Sequence, residues 1–423
     1  MTLNGHLPHR VVITGLGAVT PIGQGADGLW AGVRRGQSAV RTLSRFDPTQ
    51  FRSQVAAEVR DFDPLDHFDR KNARRLDRFS QFALVTARQA ITDAGLNLSD
   101  ECGERVGVYI GSALSGTPCA EEQHAVFLEQ GIRSVNHALA LSVFGGASSC
   151  NIAIEFGLRG PNVANSNSCA SGPIAIGEAT RILRLGLADV VLAGGCEVPL
   201  APLTFGAFDI IRVLSSDHNA TPETASRPFD VTRDGMVMGE GAGMLVLETL
   251  EHARRRGAHI YAEILGYGTT NDSYHMTAPL PTGEQAARAV RLALAEARLV
   301  PEDIDYINAH GSSTILNDST ETLAIRKALG EYAYQVPISS TKALHGHALG
   351  ASGAMEAVIC CQILQHDFLP PTVNLCQPDP ACDLNYLPHT GREQRVNTIL
   401  SNSFGFGGIN AALVFGRYDG PAT

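Results

Sequence analysis

The order of elements between residues 10 and 257 recurs between 262 and 416, and this repetition restricts the fold more than any other feature of the chain. "RVVITGLGAVTPIG" (10–23) reads as an apolar strand running into a Gly-rich turn, and "AEILGYGTTND" (262–272) has the same form. "FALVTARQAITDAGL" (82–96) is an amphipathic helix, and "TGEQAARAVRLALAEARL" (282–299) is its counterpart. "NSCASGPIAIGEATRILRL" (167–185) and "GHALGASGAMEAVICCQIL" (346–364) each begin as a small-residue turn and continue as a helix. "ADVVLAGGCE" (188–197) and "GAGMLVLE" (241–248) are buried strands, matched by "TILSNSFGFGGINAALVFG" (398–416). Strands alternate with helices, so the class is α/β. The order predicts two related halves, residues 1–257 and 258–423, joined near 255–262. Such a duplication lets equivalent turns face each other across a pseudo-twofold. The turn at Cys169 and the turn at Gly346–Gly353 are then expected to converge.

Composition narrows the class of function. The net charge of −10 argues against nucleic acid, which calls for a basic face. Nine cysteines, an odd number with no CxxC pair, fit reduced thiols better than a disulfide framework or a zinc site. The start "MTLNGHLPHRVVITG" carries no leader pattern, and no apolar run approaches the length of a membrane span. A cytoplasmic protein is expected.

Within this frame, Cys169 stands out. A free cysteine is ordinarily an inert core residue. Here Ser168, Ala170, Ser171 and Gly172 permit a tight turn, and Pro173 suits the first turn of the helix that follows. A thiol there feels the positive end of the helix dipole, and its pKa is expected below that of a free thiol. The same turn offers a backbone N–H to an oxyanion.

Two of the 14 histidines sit in polar, Gly-flanked turns: His310 in "NAHGSST" and His347 in "STKALHGHALGASG". Either one alone is ordinarily a loop or capping residue. Together with Cys169 they suit thioester chemistry, a thiolate attacking the acyl carbon and two imidazoles holding a carbonyl that becomes an enolate. They lack metal-ligand spacing, so no metal is expected. His345 either faces away or adds a third polar group. Lys342 ends the apolar run "VPISSTK", which reads as a strand, and Glu321 is its candidate partner. "SNSFGFGGIN" (401–410) reads as a flexible Gly-rich gate with Phe404 as its flap and a second oxyanion N–H. "DRKNARRLDRF" (69–79) is ordinarily a solvated helix face. On an acidic protein it also suits an acidic partner.

In this order and spacing, "SCASG", "NAHGSST", "STKALHGHALGASGAMEA" and "SNSFGFGG" resemble the β-ketoacyl-[acyl carrier protein] synthases, the elongating type II ketosynthases. The resemblance runs from about Val11 to Phe415. It implies a thiolase fold, a duplicated αβαβα layered architecture, as a dimer, and decarboxylative Claisen condensation. By motif, Cys169 takes the acyl chain, and His310 and His347 bind the malonyl thioester. Lys342 and Glu321 support the site electrostatically. Cys169 and Phe404 supply the oxyanion N–H groups, with Phe404 as gate. Ser312 and Thr314 meet the phosphopantetheine arm, Leu114 lines the acyl pocket, and Lys71, Arg74, Arg75 and Arg212 meet an acidic acyl carrier protein. No cofactor is implied beyond that arm.

The chain departs from the family at Asn167-Ser168 before the cysteine, at Ala170 after it, at Ile409, and at His345. These departures bear on the substrate, fatty-acid or polyketide, rather than on the chemistry. A non-catalytic chain-length factor ordinarily lacks the nucleophilic cysteine, so Cys169, His310 and His347 argue against that role. A heterodimer active only beside such a factor stands as the alternative. A coenzyme A thiolase needs a second cysteine where this chain has Phe404 and Phe406, and is rejected.

Overall fold

A computed structural model describes residues 9–420; part of the N-terminal stretch read for a leader lies outside the described residues. The main sheet has eleven strands; a two-residue strand, Gly23–Gln24, only folds back on the first, and the other ten run across it. They are β1 (Val11–Thr20), β2 (Val106–Gly111), β3 (Asn162–Asn165), β4 (Val190–Glu197), β5 (Gly241–Thr249), β6 (Ala262–Asn271), β7 (Tyr306–Asn308), β8 (Ile338–Ser339), β9 (Thr398–Gly405) and β10 (Ile409–Gly416). Their spatial order is β8-β7-β9-β10-β6-β1-β5-β4-β2-β3. Read outward from the β1–β6 contact, the two halves are the same. The first half runs β1, β5, β4, β2, β3, and the second runs β6, β10, β9, β7, β8. The senses match as well. β5 is antiparallel to β1 and to β4, as β10 is to β6 and to β9. β2 is parallel to both its neighbours, as β7 is to its own. The halves meet through a short antiparallel pairing of Val12 and Ile13 with Glu263 and Ala262.

Six of the helices define the layers. α1 (Arg78–Asp93) and α2 (Ala147–Phe156) cover the outer face of the first half, and α4 (Glu284–Ala297) and α5 (Ile315–Leu329) cover that of the second. α3 (Ser171–Arg184) and α6 (Leu349–His366) pack on each other between the two halves, touching strands of both. Asp77 caps α1 by accepting from the Ser80 N–H. α6 is buried along nearly its whole length, which is why its sequence is mostly apolar on every face.

The repeated "TGLGAV" and "LGYGTT" owe their glycines to the same contact. A Cβ on Gly15 or Gly17 would meet the carbonyl oxygens of Ala90 and Thr86 on α1 at 2.2 and 2.1 Å. On Gly266 or Gly268 it would meet those of Ala293 and Ala289 on α4 at 2.0 and 2.1 Å. Each first strand is pressed by its outer helix closer than any side chain allows. The middle layer is equally tight. A Cβ on Gly111, at the end of β2, would lie 2.2 Å from the Ser171 carbonyl oxygen at the head of α3. Gly111→Ala is therefore expected to destabilise the protein by about 1–3 kcal/mol through overpacking, read as a lower urea midpoint at unchanged slope.

The sequence reading differs from the structure in two places. "VPISSTK" forms a two-residue strand, and Lys342 instead opens a short helix, Lys342–His345. The 401–410 segment is not a loop throughout. β9 continues through Phe404 to Gly405, and only Phe406–Gly408 form the turn into β10. Among the described residues, no helix is long and apolar enough to cross a membrane.

Candidate active site

Cys169 lies in a single helical turn, Ser168–Ala170, immediately before α3. Ser168 is held at φ 52°, a left-handed conformation unusual for a side chain of this kind. Ser171 Oγ donates to the Ser168 carbonyl at 2.6 Å, and Asn165 Nδ2 donates to the Ser171 carbonyl at 3.1 Å. These bonds fix the turn, so the thiol is aimed by backbone geometry rather than by its own rotamer alone. The tip of β9 closes on it: a Cβ on Gly405 would lie 3.0 Å from the Cys169 nitrogen. Strain recurs at the other two turns of the site, with Ser313 at φ 69° and Leu349 at φ 38°.

A cavity of about 250 Å³ opens onto Cys169, His310 and His347 together. The expected convergence of distant turns is thus observed. The imidazoles of His310 and His347 stand edge to face, with centroids 5.3 Å apart. Ser312, Thr314 and Arg212 line the same cavity, as do Phe404 and Phe406. Ser312 Oγ and Thr314 Oγ1 are hydrogen-bonded to each other at 2.9 Å. Leu114 packs in the apolar cluster that holds Cys169.

Burial governs the charges. It holds both His310 and His347 well below the ordinary imidazole pKa, with the Lys342 charge acting in the same sense. Both rings are neutral and each carries one N–H. His345 is also fully buried and is pushed down to about 3, by burial first and then by Lys342. It does not line the cavity; its Nε2 lies 3.1 Å from Thr341 Oγ1, a hydrogen bond turned away from the site.

Three expectations need correction. First, Lys342 does not pair with Glu321. Its ammonium, fully buried, donates to Glu356 Oε1 on α6 at 2.5 Å. Glu321 instead accepts from the backbone N–H groups of His310 and Gly311 at 2.8 and 2.7 Å, clamping the His310 turn. Burial pushes Glu321 up to about 7 against those two bonds. The sequence hid this exchange because Glu356, fourteen residues beyond Lys342, reads as a lone acidic position in a mostly apolar helix. Second, Phe404 is a buried strand residue, and the backbone N–H that reaches the Cys169 sulfur is that of Phe406. Phe406 is half-buried in the turn and stacks on Phe208 at 6.2 Å. Its glycine neighbours on both sides were the available signal. Third, burial pushes the Cys169 thiol up to about 11, not down. The Ser168 hydroxyl, the Lys342 charge and the Phe406 N–H pull the other way without prevailing.

Lys71, Arg74 and Arg75 lie exposed on a short helix, Arg70–Arg75, capped by Asp69. Arg78 leaves this run: it bonds the buried Glu240 and packs over Phe62 and Phe82. Arg212, also exposed, stands apart from the basic helix at the cavity itself.

Residues 9–253 match the family profile "Beta-ketoacyl synthase, N-terminal domain", and residues 261–376 match "Beta-ketoacyl synthase, C-terminal domain". The chain is 45% identical over 408 residues to a 3-oxoacyl-[acyl-carrier-protein] synthase 2 of Coxiella burnetii, covering 96% of this chain and 98% of that one. It is 45% identical over 409 residues to a protein of the same name from Synechocystis, covering 97% and 98%. Among solved structures, a type II PKS ketosynthase in complex with its acyl-carrier protein and bound to the hexaketide superposes with TM-score 0.90 at 38% identity, covering 97% of this chain and 100% of that chain. The ishigamide ketosynthase/chain length factor superposes with TM-score 0.90 at 35% identity, with the same coverage. The doubled sheet is therefore a thiolase-type α/β fold. A cysteine and two neutral histidines share one cavity across its two halves, and likeness to these relatives spans nearly the whole chain: this protein belongs to the β-ketoacyl synthase family.

Proposed function

We propose that the protein is a β-ketoacyl-[acyl carrier protein] synthase, an acyltransferase that extends an acyl chain by decarboxylative condensation with malonyl-carrier protein. The observation that carries this is the opening of Cys169, His310 and His347 onto one cavity. The Cys169 sulfur displaces the carrier thiol from an acyl thioester and keeps the acyl group. Malonyl-carrier protein then enters, and its thioester carbonyl accepts hydrogen bonds from the two imidazoles. Loss of CO2 leaves an enolate, whose carbon attacks the acyl carbonyl. The oxyanion so formed accepts from the N–H groups of Cys169 and Phe406, and its collapse expels the Cys169 sulfur. The Cys169 proton passes to the departing carrier thiolate in the first step, the expelled Cys169 thiolate takes up a proton in the last, and the C–CO2 bond supplies the electron pair for the new C–C bond, so no redox group is needed.

Ser312 and Thr314 present hydroxyls to the phosphopantetheine arm, and Leu114 bounds the acyl chamber. Phe406, on its Gly-flanked turn, takes the gating role. Lys342 lowers the cost of negative charge on the thioester groups. Glu321 acts on His310 only through the backbone it clamps.

Lys71, Arg74, Arg75 and Arg212 dock the acidic carrier. Reversing the three helix charges together (Lys71→Glu, Arg74→Glu, Arg75→Glu) is expected to raise KM for acyl-carrier protein by about tenfold or more. It should leave the rate with a small pantetheine thioester within twofold, and the wild-type KM should rise with salt. An equal loss on both substrates would remove these residues from docking.

The protein acts as a cytoplasmic dimer. β3 ends the sheet with a free edge, and Ile154, Leu203 and Ile210 expose 78, 73 and 80% of their surfaces. Likeness to a ketosynthase/chain length factor structure favours a second reading, in which the partner is a non-catalytic relative. Condensation by the purified chain alone, eluting as a dimer, supports the homodimer. Activity that appears only on adding a chain-length factor supports the second reading.

A further inference from the structure

The two histidines of the site are not held alike. His347 Nδ1 lies 2.8 Å from Ser352 Oγ, one and a half turns further on at the head of α6, and both side chains are buried. His310 Nδ1 is also buried and has no partner among the described residues. The ring of His347 lines the cavity, and Ser352 does not. A hydroxyl and a neutral imidazole can share this bond in two ways. If Nδ1–H donated, the Ser352 proton would be a buried donor with no acceptor, because Ser352 Oγ has no other hydrogen bond among the described residues. If Ser352 donates, Nδ1 is the acceptor and the single imidazole proton sits on Nε2, the nitrogen available to the cavity.

We infer that Ser352 is a positioning residue that locks His347 in the Nε2–H tautomer, making it a fixed hydrogen-bond donor to the malonyl thioester carbonyl. This rests on the ketosynthase reading above. The neutral state of His347, set by burial, is what makes the tautomer matter, since an imidazolium would donate from both nitrogens. His310, with no such partner, is free of this constraint. The two rings are therefore held unequally: Ser352 fixes the tautomer of one, and no side chain does so for the other among the described residues.

The test uses the full-length protein, Ser352→Ala, and Ser352→Cys, which keeps the shape but donates weakly. Release of CO2 from malonyl-carrier protein and acylation of Cys169 by acyl-carrier protein are measured separately. Ser352→Ala is expected to lower kcat for CO2 release by about tenfold, with KM and the rate of Cys169 acylation within twofold of wild type. Ser352→Cys should fall between the two. In 15N-histidine spectra, His347 Nδ1 should be unprotonated in the wild type, and the Nδ1–H form should appear in Ser352→Ala. Wild-type CO2 release by Ser352→Ala, equal losses in both half-reactions, or a protonated Nδ1 in the wild type would each overturn the inference. A wild-type protein with the expected spectrum that neither condenses nor releases CO2 would overturn the functional reading and leave the tautomer assignment standing.

Discussion

Cys169→Ala is expected to lose acyl uptake and condensation by on the order of 10³-fold or more, because no other thiol lines the cavity among the described residues. The cavity and its donors remain, so the variant should still bind malonyl-carrier protein with KM within a few-fold of wild type. The pH dependence of the thiol adds a second check. Burial pushes Cys169 up to about 11, so the resting group is a thiol over the whole neutral range. Below that value the thiolate fraction grows with pH. Alkylation of Cys169 by iodoacetamide should therefore quicken about tenfold per pH unit between 7 and 9. A plateau below pH 8 would mean that the helix terminus, Lys342 and the Phe406 N–H together outweigh burial.

Glu356→Ala is expected to cost about 3–5 kcal/mol of stability, since it leaves the Lys342 ammonium buried without a counter-charge. Urea denaturation reads this as a lower midpoint. Activity should fall as well, because Lys342 is then free to move and its charge acts on His310, His347 and Cys169 alike. Glu356→Gln keeps the shape and a hydrogen-bond acceptor, so its loss should be smaller. Glu321→Gln should leave Lys342 paired and disturb chiefly the His310 turn. If Glu321→Gln destabilised the protein as strongly as Glu356→Ala, the pairing described above would be wrong.

The glycine pairs explain why so much of the fold was legible. Gly15 and Gly17, and again Gly266 and Gly268, are demanded by the same strand–helix approach, so the duplication left a visible mark in the sequence. Cys169, His310 and His347 were legible for a related reason: each sits on a tight turn that requires small neighbours. The partner of Lys342 was not legible, because a side chain reaching across from α6 leaves no local signal at either end. The role of Phe406 was masked by where β9 stops, which depends on its pairing with β10 and not on composition. The direction of the Cys169 shift was missed because sequence shows the helix that follows but not the depth at which the thiol lies.

In the proposed mechanism Cys169 carries the chain while malonyl-carrier protein is decarboxylated beside it. Mass spectrometry of the protein, taken first with acyl-carrier protein and then after adding malonyl-carrier protein, tests this most directly. The acyl mass is expected on the Cys169 peptide alone, and it should then disappear as a chain two carbons longer, bearing the new keto group, forms on the carrier. Acyl mass on another residue, acyl mass retained in Cys169→Ala, or an acyl-Cys169 that persists while malonyl-carrier protein is consumed would contradict it.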